Sequence, residues 1–221
     1  MEQNKRILCY GDSNTWGYRP GVGTRLEENR RWTGLLGREP GLTVVEAGLS
    51  GRTTVWDDPF SRFLNGGKEL VPQLLMAAPL DLVILELGTN DLNCGHSAYE
   101  AARGVRALIE EIGRWHECFR DGRCQVLLLA PPQISASAVS LSPMLSGGRG
   151  YRESLQFSAY YQAMAEKTGA AFLDIAMYAQ PSAEDGIHLD AVGHRNLARA
   201  VAEKVREIFA GVPENSARRP Q

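Results

Sequence analysis

Four short polar segments of the chain hold side chains able to do chemistry together: "GDSN" at 11–14 with Ser13, "GLSGRTT" at 48–54 with Gly51, "GTND" at 88–91 with Asn90, and "EDGIH" at 184–188 with Asp185 and His188. A serine hydroxyl is a weak nucleophile until a base takes its proton, and a histidine can act as that base and later return the proton to a leaving group. Asp185, three residues before His188, can accept from the second ring nitrogen and stabilise the imidazolium. A tetrahedral intermediate also needs donors for its oxyanion. The backbone N–H groups of Ser13 and Gly51 and the side-chain amide of Asn90 supply three. Taken alone, Ser13 reads as a turn or cap residue; with the other three segments it reads as the nucleophile of an acyl-transfer site.

Other residues compete for these roles. Gly48 is a rival to Gly51 as donor, Asp12 and Asp91 read as caps or braces, and Asp190 is the natural N-cap of a final helix, while Asp174 ends a strand. His96, His116 and His194 lack the Asp-x-x-His setting of His188. Trp16, Asn14 and Trp56 follow strand-end loops and are assigned to the wall of a substrate pocket.

The elements that would position these groups are legible as five continuous apolar runs at 6–10, 43–47, 82–87, 125–130 and 171–175. Continuous rather than alternating apolar character suits strands buried on both faces of a parallel sheet. Helical patterns lie between them at 32–37, 68–78, 152–168 with Gly169 as C-cap, and 190–209. The clearest follows a capping box of Ser97 and Glu100, with apolar Ala101, Val105, Leu108, Ile112 and Trp115 at helical spacing. This alternation predicts a three-layer α/β/α sandwich with a flavodoxin-like five-stranded parallel sheet; if its order is 2-1-3-4-5, strands 2, 1 and 3 are neighbours and Ser13, Gly51 and Asn90 converge. All four polar segments then fall beyond the carboxyl edge of the sheet, where such folds place function. The fifth strand would lie roughly 15 Å from the first at about 4.8 Å per strand. The residues from 175 to 185 can span about 33 Å when extended, so His188 can reach Ser13.

The 221 residues, 43% hydrophobic and 23% charged with a formal net charge of −2, predict one domain over 1–211 and a disordered tail over 212–221. No field favours nucleic acid, no apolar run is long enough for a membrane span, and the N-terminus lacks a signal peptide's apolar core, so a cytoplasmic protein with a small-molecule partner is expected. Cys9, Cys94, Cys118 and Cys124 show neither a disulfide framework nor a metal-binding spacing, and neither metal nor cofactor is expected. The loop at 131–150 is long enough to be functional, and Leu141, Met144 and Leu145 in it are candidates for an entrance or an oligomer contact. A flavodoxin-like nucleotide or FMN-binding module is the alternative of another class; the chain holds no GxGxxG or GxxxxGK[ST], and "DGIH" would be idle in it. A G-x-S-x-G elbow is also missing.

With Ser13 in "GDSN", Gly51 in "SGRT", Asn90 in "GTND" and Asp185 with His188 in "DGIH", the chain resembles the SGNH hydrolases, the GDSL-type serine esterases, whose four blocks appear here in family order. "RILCYGDSNTWGY", "RWTGLL", "GLSGRTTVWDDP", "LDLVILELGTND" and "DGIHL" are similar to the arylesterase and perhydrolase branch, which includes a mycobacterial acyltransferase. That resemblance implies hydrolysis of short-chain esters, acetyl esters among them, with acyl transfer to alcohols or peroxide as a side activity. Carbohydrate deacetylation and thioester hydrolysis are the alternatives within the family. It also implies a homo-oligomer, a tetramer or an octamer. Asn14 departs from the family's commoner leucine beside the nucleophile.

Overall fold

In the computed structural model of the chain, residues 3–58, 64–138, 145 and 148–211 are described. The expected tail at 212–221, Leu141 and Met144 lie outside them. The strands are β1 Lys5–Gly11, β2 Leu42–Gly48, β3 Leu82–Glu86, β4 Val126–Ala130 and β5 Ala171–Asp174. They form one parallel sheet, as the apolar runs predict, and its order is β2-β1-β3-β4-β5. β3 and β4 are buried at every position and β1 over its last five residues, which is why the sequence reads there as unbroken apolar runs.

Eight α-helices occur among the described residues: α1 Ser13–Trp16, α2 Trp32–Leu36, α3 Gly66–Ala77, α4 Thr89–Asn93, α5 Ala98–Arg114, α6 Arg149–Ser154, α7 Phe157–Thr168 and α8 Ala191–Ala210. Because side chains alternate along a strand, Leu8, Tyr10, Val83, Leu85 and Leu128 face α3, α5 and α7, while Ile7, Cys9, Ile84, Leu127 and Leu129 face α2 and α8. The result is a helical layer on each side of the sheet. Among the described residues no helix is long and apolar enough to cross a membrane.

The caps explain most of the boundaries. Ser97 and Glu100 form the expected capping box at α5, Gly169 ends α7 in the left-handed region at φ 74°, and Asp190 caps α8. Asn65 accepts from the N–H groups of Gly67 and Lys68, so α3 begins earlier than its apolar pattern suggests. The helix expected over 152–168 is two helices. The Ser154 hydroxyl donates to Tyr151 O at 2.8 Å and accepts from Ile134 N at 2.9 Å, ending α6 on the strand-4 loop before α7 starts.

α2 and α8 meet through His194, which is fully buried and accepts the Trp32 N–H at Nδ1 over 3.3 Å. Burial pushes this imidazole down to about 4, so it is neutral at pH 7. The unfolded chain, with a histidine near 6.5, takes up this proton first as the pH falls, so the stability His194 contributes above that value is lost on the way down to about 4. Urea unfolding of wild type and His194→Gln at pH 7 and pH 4 tests this. The difference should move in the variant's favour by roughly 3 kcal/mol between the two conditions; a difference independent of pH would contradict it.

Candidate active site

Ser13 stands where β1 turns directly into α1. Asp12 makes that turn: its N–H donates to Glu86 O at 3.1 Å, and its carboxylate caps α1 by accepting the Asn14 N–H at 2.9 Å. Two glycines leave room for it. A Cβ on Gly11 would collide with Thr15 Oγ1 and with the carbonyl of Glu86, and one on Gly48, its register partner on β2, would collide with the backbone of Thr15 and Trp16. Gly48 is therefore a site of close approach between β2 and α1.

His188 arrives from the loop after β5. Its Nε2 lies 2.9 Å from Ser13 Oγ, and its Nδ1 lies 2.8 Å from Asp185 Oδ2. An ionised carboxylate only accepts, so Nδ1 carries the hydrogen and Nε2 is free to accept the serine O–H. Burial opposes the charge on Asp185. The His188 ring and the N–H groups of His188 and Ile187, both 2.9 Å from Oδ1, outweigh it and hold the carboxyl below the usual carboxylate range. Asp174 instead accepts from Ala176 N and Asp190 caps α8, which removes both from contention. The rival histidines are also elsewhere: His194 is in the α2–α8 contact, His116 is exposed beside Glu117, and His96 stacks on Trp56.

The loops after β2 and β3 close the other side. Gly51 sits at φ 88°, in the left-handed region that favours glycine, and neither its N–H nor that of Ser13 meets a protein acceptor among the described residues. Asn90, the second residue of α4, donates its amide to Arg52 O at 3.0 Å and, more weakly, to Asp12 Oδ2 at 3.5 Å. Asn90 thus touches both the Gly51 turn and the Ser13 turn. Asp91 braces this loop from beneath, accepting from both the N–H and the hydroxyl of Thr54, and burial pushes its carboxyl up to about 7. The structure therefore brings Ser13, His188, Asp185, Gly51 and Asn90 to one edge of the sheet. No three His, Cys, Asp or Glu side chains among the described residues are arranged to hold a metal ion.

Residues 9–195 match the model of the GDSL-like lipase/acylhydrolase family. The chain belongs to that family. Among solved structures, an aryl esterase from M. smegmatis is 33% identical with a TM-score of 0.83, over 92% of this chain and 99% of that one. Est24, a carbohydrate acetylesterase from Sinorhizobium meliloti, is 34% identical with a TM-score of 0.84, over 93% and 100%. A putative arylesterase from Agrobacterium tumefaciens str. C58 is 35% identical with a TM-score of 0.84, over 92% and 99%. No curated protein is a significant match.

In this GDSL-type hydrolase the three expected pocket residues fare differently. Asn14 is fully buried, and its carbonyl oxygen accepts the Leu189 N–H at 2.9 Å, so it clamps the His188 loop onto α1 and lines no open pocket. That is a correction: a side chain next to the nucleophile in sequence points away from it once α1 begins. Trp16 is half-buried at the end of α1, beneath the Arg25 guanidinium at 5.8 Å. Trp56 stacks on His96 with centroids 4.7 Å apart.

Sequence reasoning missed three participants. Tyr18 stacks on His188 with centroids 4.1 Å apart; Gly17 at φ 87° ends α1 and turns the chain back, and Tyr18 N donates to Ser13 O at 2.9 Å. The "WGY" that follows the nucleophile is the signal for that reversal. Arg52 is buried, with its guanidinium over the Tyr10 ring at 4.2 Å, donating to the carbonyls of Gly11 and Ala47 and pairing with Glu69 at 2.7 Å. It ties the Gly51 turn to the end of β1. Glu86 is a fully buried carboxyl beneath α1 that accepts the Thr15 hydroxyl at 2.7 Å.

If Asn14 is a clamp, Asn14→Ala leaves the buried Leu189 N–H unpaired. Urea unfolding should then show a loss of about 1–3 kcal/mol, with the relative preference among acyl chain lengths unchanged. An altered chain-length preference at unchanged stability would restore Asn14 to the pocket wall.

Proposed function

We propose that this protein is a serine carboxylic-ester hydrolase acting on short-chain acyl esters, acetyl and aryl esters among them, through an acyl-enzyme at Ser13. The observation that carries the reading is the chain of contacts from Asp185 Oδ2 through His188 to Ser13 Oγ, at 2.8 and 2.9 Å. Among the described residues the N–H groups of Ser13 and Gly51 meet no protein acceptor, and the Asn90 amide donates to Arg52 O and Asp12 Oδ2 in the turns that hold them. Membership of the GDSL-like lipase/acylhydrolase family and the likeness to an aryl esterase and a carbohydrate acetylesterase support it.

In this reading Ser13 Oγ attacks the ester carbonyl while its proton passes to His188 Nε2, and Asp185 stabilises the imidazolium and fixes its tautomer. The N–H groups of Ser13 and Gly51 and an N–H of Asn90 take the oxyanion, each such donor being worth about 2.7–4 kcal/mol in rate. Collapse expels the alcohol, which takes the proton from His188. Water then repeats the sequence on the acyl-enzyme. An alcohol or peroxide in place of water gives acyl transfer as a side activity.

A second reading, in which the preferred ester is an acetylated sugar, is favoured by the two carbohydrate acetylesterase structures from Sinorhizobium meliloti among the similar proteins. It uses the same groups and differs in the alcohol side. Hydrolysis of p-nitrophenyl acetate and of peracetylated glucose at equal concentration separates the two. In the same assay Ser13→Ala should lose about a thousandfold or more in kcat, and Asp185→Asn, which favours the wrong tautomer, about as much. Turnover at wild-type rate in Ser13→Ala would overturn the assignment.

A further inference from the structure

The His188 ring is held at its two nitrogens, by Asp185 Oδ2 at 2.8 Å and by Ser13 Oγ at 2.9 Å. Contacts made only at the ring nitrogens do little to resist a tilt of the ring about the line between them. A contact on the ring face does. Tyr18 supplies one: it lies over His188 with ring centroids 4.1 Å apart and planes 29° from parallel.

Tyr18 is tied to the nucleophile as well as to the base. Ser13 O accepts the N–H groups of Gly17 and Tyr18, each at 2.9 Å. Beyond Tyr18 the chain makes a loop closed by an antiparallel bridge between Tyr18 and Arg25 and by Arg19 N donating to Thr24 O at 2.8 Å. Arg25 anchors that loop, donating to Trp16 O and to Glu46 Oε2, both at 2.7 Å. The loop also abuts the segment that carries His188, since a Cβ on Gly21 would collide with Glu184 Oε2. The turn that presents Ser13 therefore also sets the place of the Tyr18 ring. The Tyr18 hydroxyl ends beside Gly23, where a Cβ would stand 3.5 Å from it. What Tyr18 offers His188 is the face of its ring.

We propose that Tyr18 is a positioning residue of the esterase reaction: its ring keeps the His188 imidazole in line with Ser13 and Asp185 and favours the imidazolium formed when Nε2 takes the serine proton. The proposal rests on the esterase reading above. The face of a phenol ring carries the negative part of its quadrupole, so a cation lying on it is favoured over the neutral form. Asp185 meets the new charge in the plane of the imidazolium, at Nδ1, and Tyr18 meets it across the plane. Tyr18 acts on the reacting atoms only through His188.

The test compares wild type with Tyr18→Phe, which keeps the ring, and Tyr18→Leu, which does not. With p-nitrophenyl acetate, Tyr18→Leu should lose roughly fivefold or more in kcat, with KM within about twofold. Tyr18→Phe should retain most of the wild-type kcat. The acid limb of the pH profile of kcat/KM should move to lower pH by about half a unit in Tyr18→Leu and stay in place in Tyr18→Phe, because a base without the aromatic face holds its proton less firmly. The other titratable groups that face His188 are Asp185 in its own loop, Asp12 before α1 and His194 on α8. They are common to all three proteins; Asp12, which burial pushes up to about 6, titrates in each alike. In proton NMR the Tyr18 ring current should hold the His188 ring C–H lines upfield in wild type and Tyr18→Phe and release them downfield in Tyr18→Leu. Tyr18→Met, also without a ring, takes the place of Tyr18→Leu should that variant not fold. Wild-type kcat in the ringless variant, an acid limb or C–H lines that do not move, or Tyr18→Phe no better than Tyr18→Leu would overturn the proposal. Unimpaired turnover in Ser13→Ala would instead overturn the esterase reading, and because the NMR arm does not depend on turnover the two failures are distinguishable.

Discussion

The passage from β1 into α1 occurs within a single residue, Asp12, and the space around it is filled to the point where neither Gly11 nor Gly48 can carry a Cβ. That tightness decides the site. It puts the hydroxyl of Ser13 at the carboxyl edge of a strand flanked by β2 and β3, so the loops after both neighbours reach it directly. It also aims the start of α1 at the loop after β5, and Asn14 takes hold of that loop at Leu189, one residue past His188. The 2.9 Å contact between His188 and Ser13 bridges 175 positions of sequence, and a clamp beside it keeps the loop from wandering.

The electrostatic consequence of such close packing is that carboxyls are buried beneath the site. Asp12, Glu86 and Asp91 are all fully enclosed, and burial raises each of them. Arg52, almost as deeply placed, is a cation that faces Asp12 and pairs with Glu69, and it also donates to the carbonyls of Gly11 and Ala47 at the ends of two strands and stacks on Tyr10. A buried charge with good hydrogen bonds is tolerable, while one whose partner is removed is costly. The buried groups around the Ser13 turn are thus linked to one another by hydrogen bonds and charge, Asn90 to Arg52 and Asp12, and Asp91 to Thr54.

Much of this was legible in the sequence because burial and capping leave local traces. The central strands show as continuous apolar runs since both of their faces are covered, and Ser97, Gly169 and Asp190 mark helix ends by their own chemistry. α1 and α4, of four and five residues, are too short to show a period, and the break between α6 and α7 depends on Ser154 meeting Ile134, a contact no periodicity reports. At the site, Ser13, Gly51, Asn90, Asp185 and His188 were readable because their types and order together spell a reaction. Asn14 was misread as a pocket wall, and Tyr18, Arg52 and Glu86 were missed, since what each does depends on a partner distant in sequence or on a chain reversal at Gly17.

The central claim is that the acyl group passes through Ser13, and the most direct measurement is mass spectrometry of the protein quenched in acid during turnover of p-nitrophenyl acetate. The account requires a mass gain of one acetyl group, located by peptide mapping on the fragment that holds Ser13 and absent from Ser13→Ala. An acetyl group on another residue, or its persistence in Ser13→Ala, would contradict it.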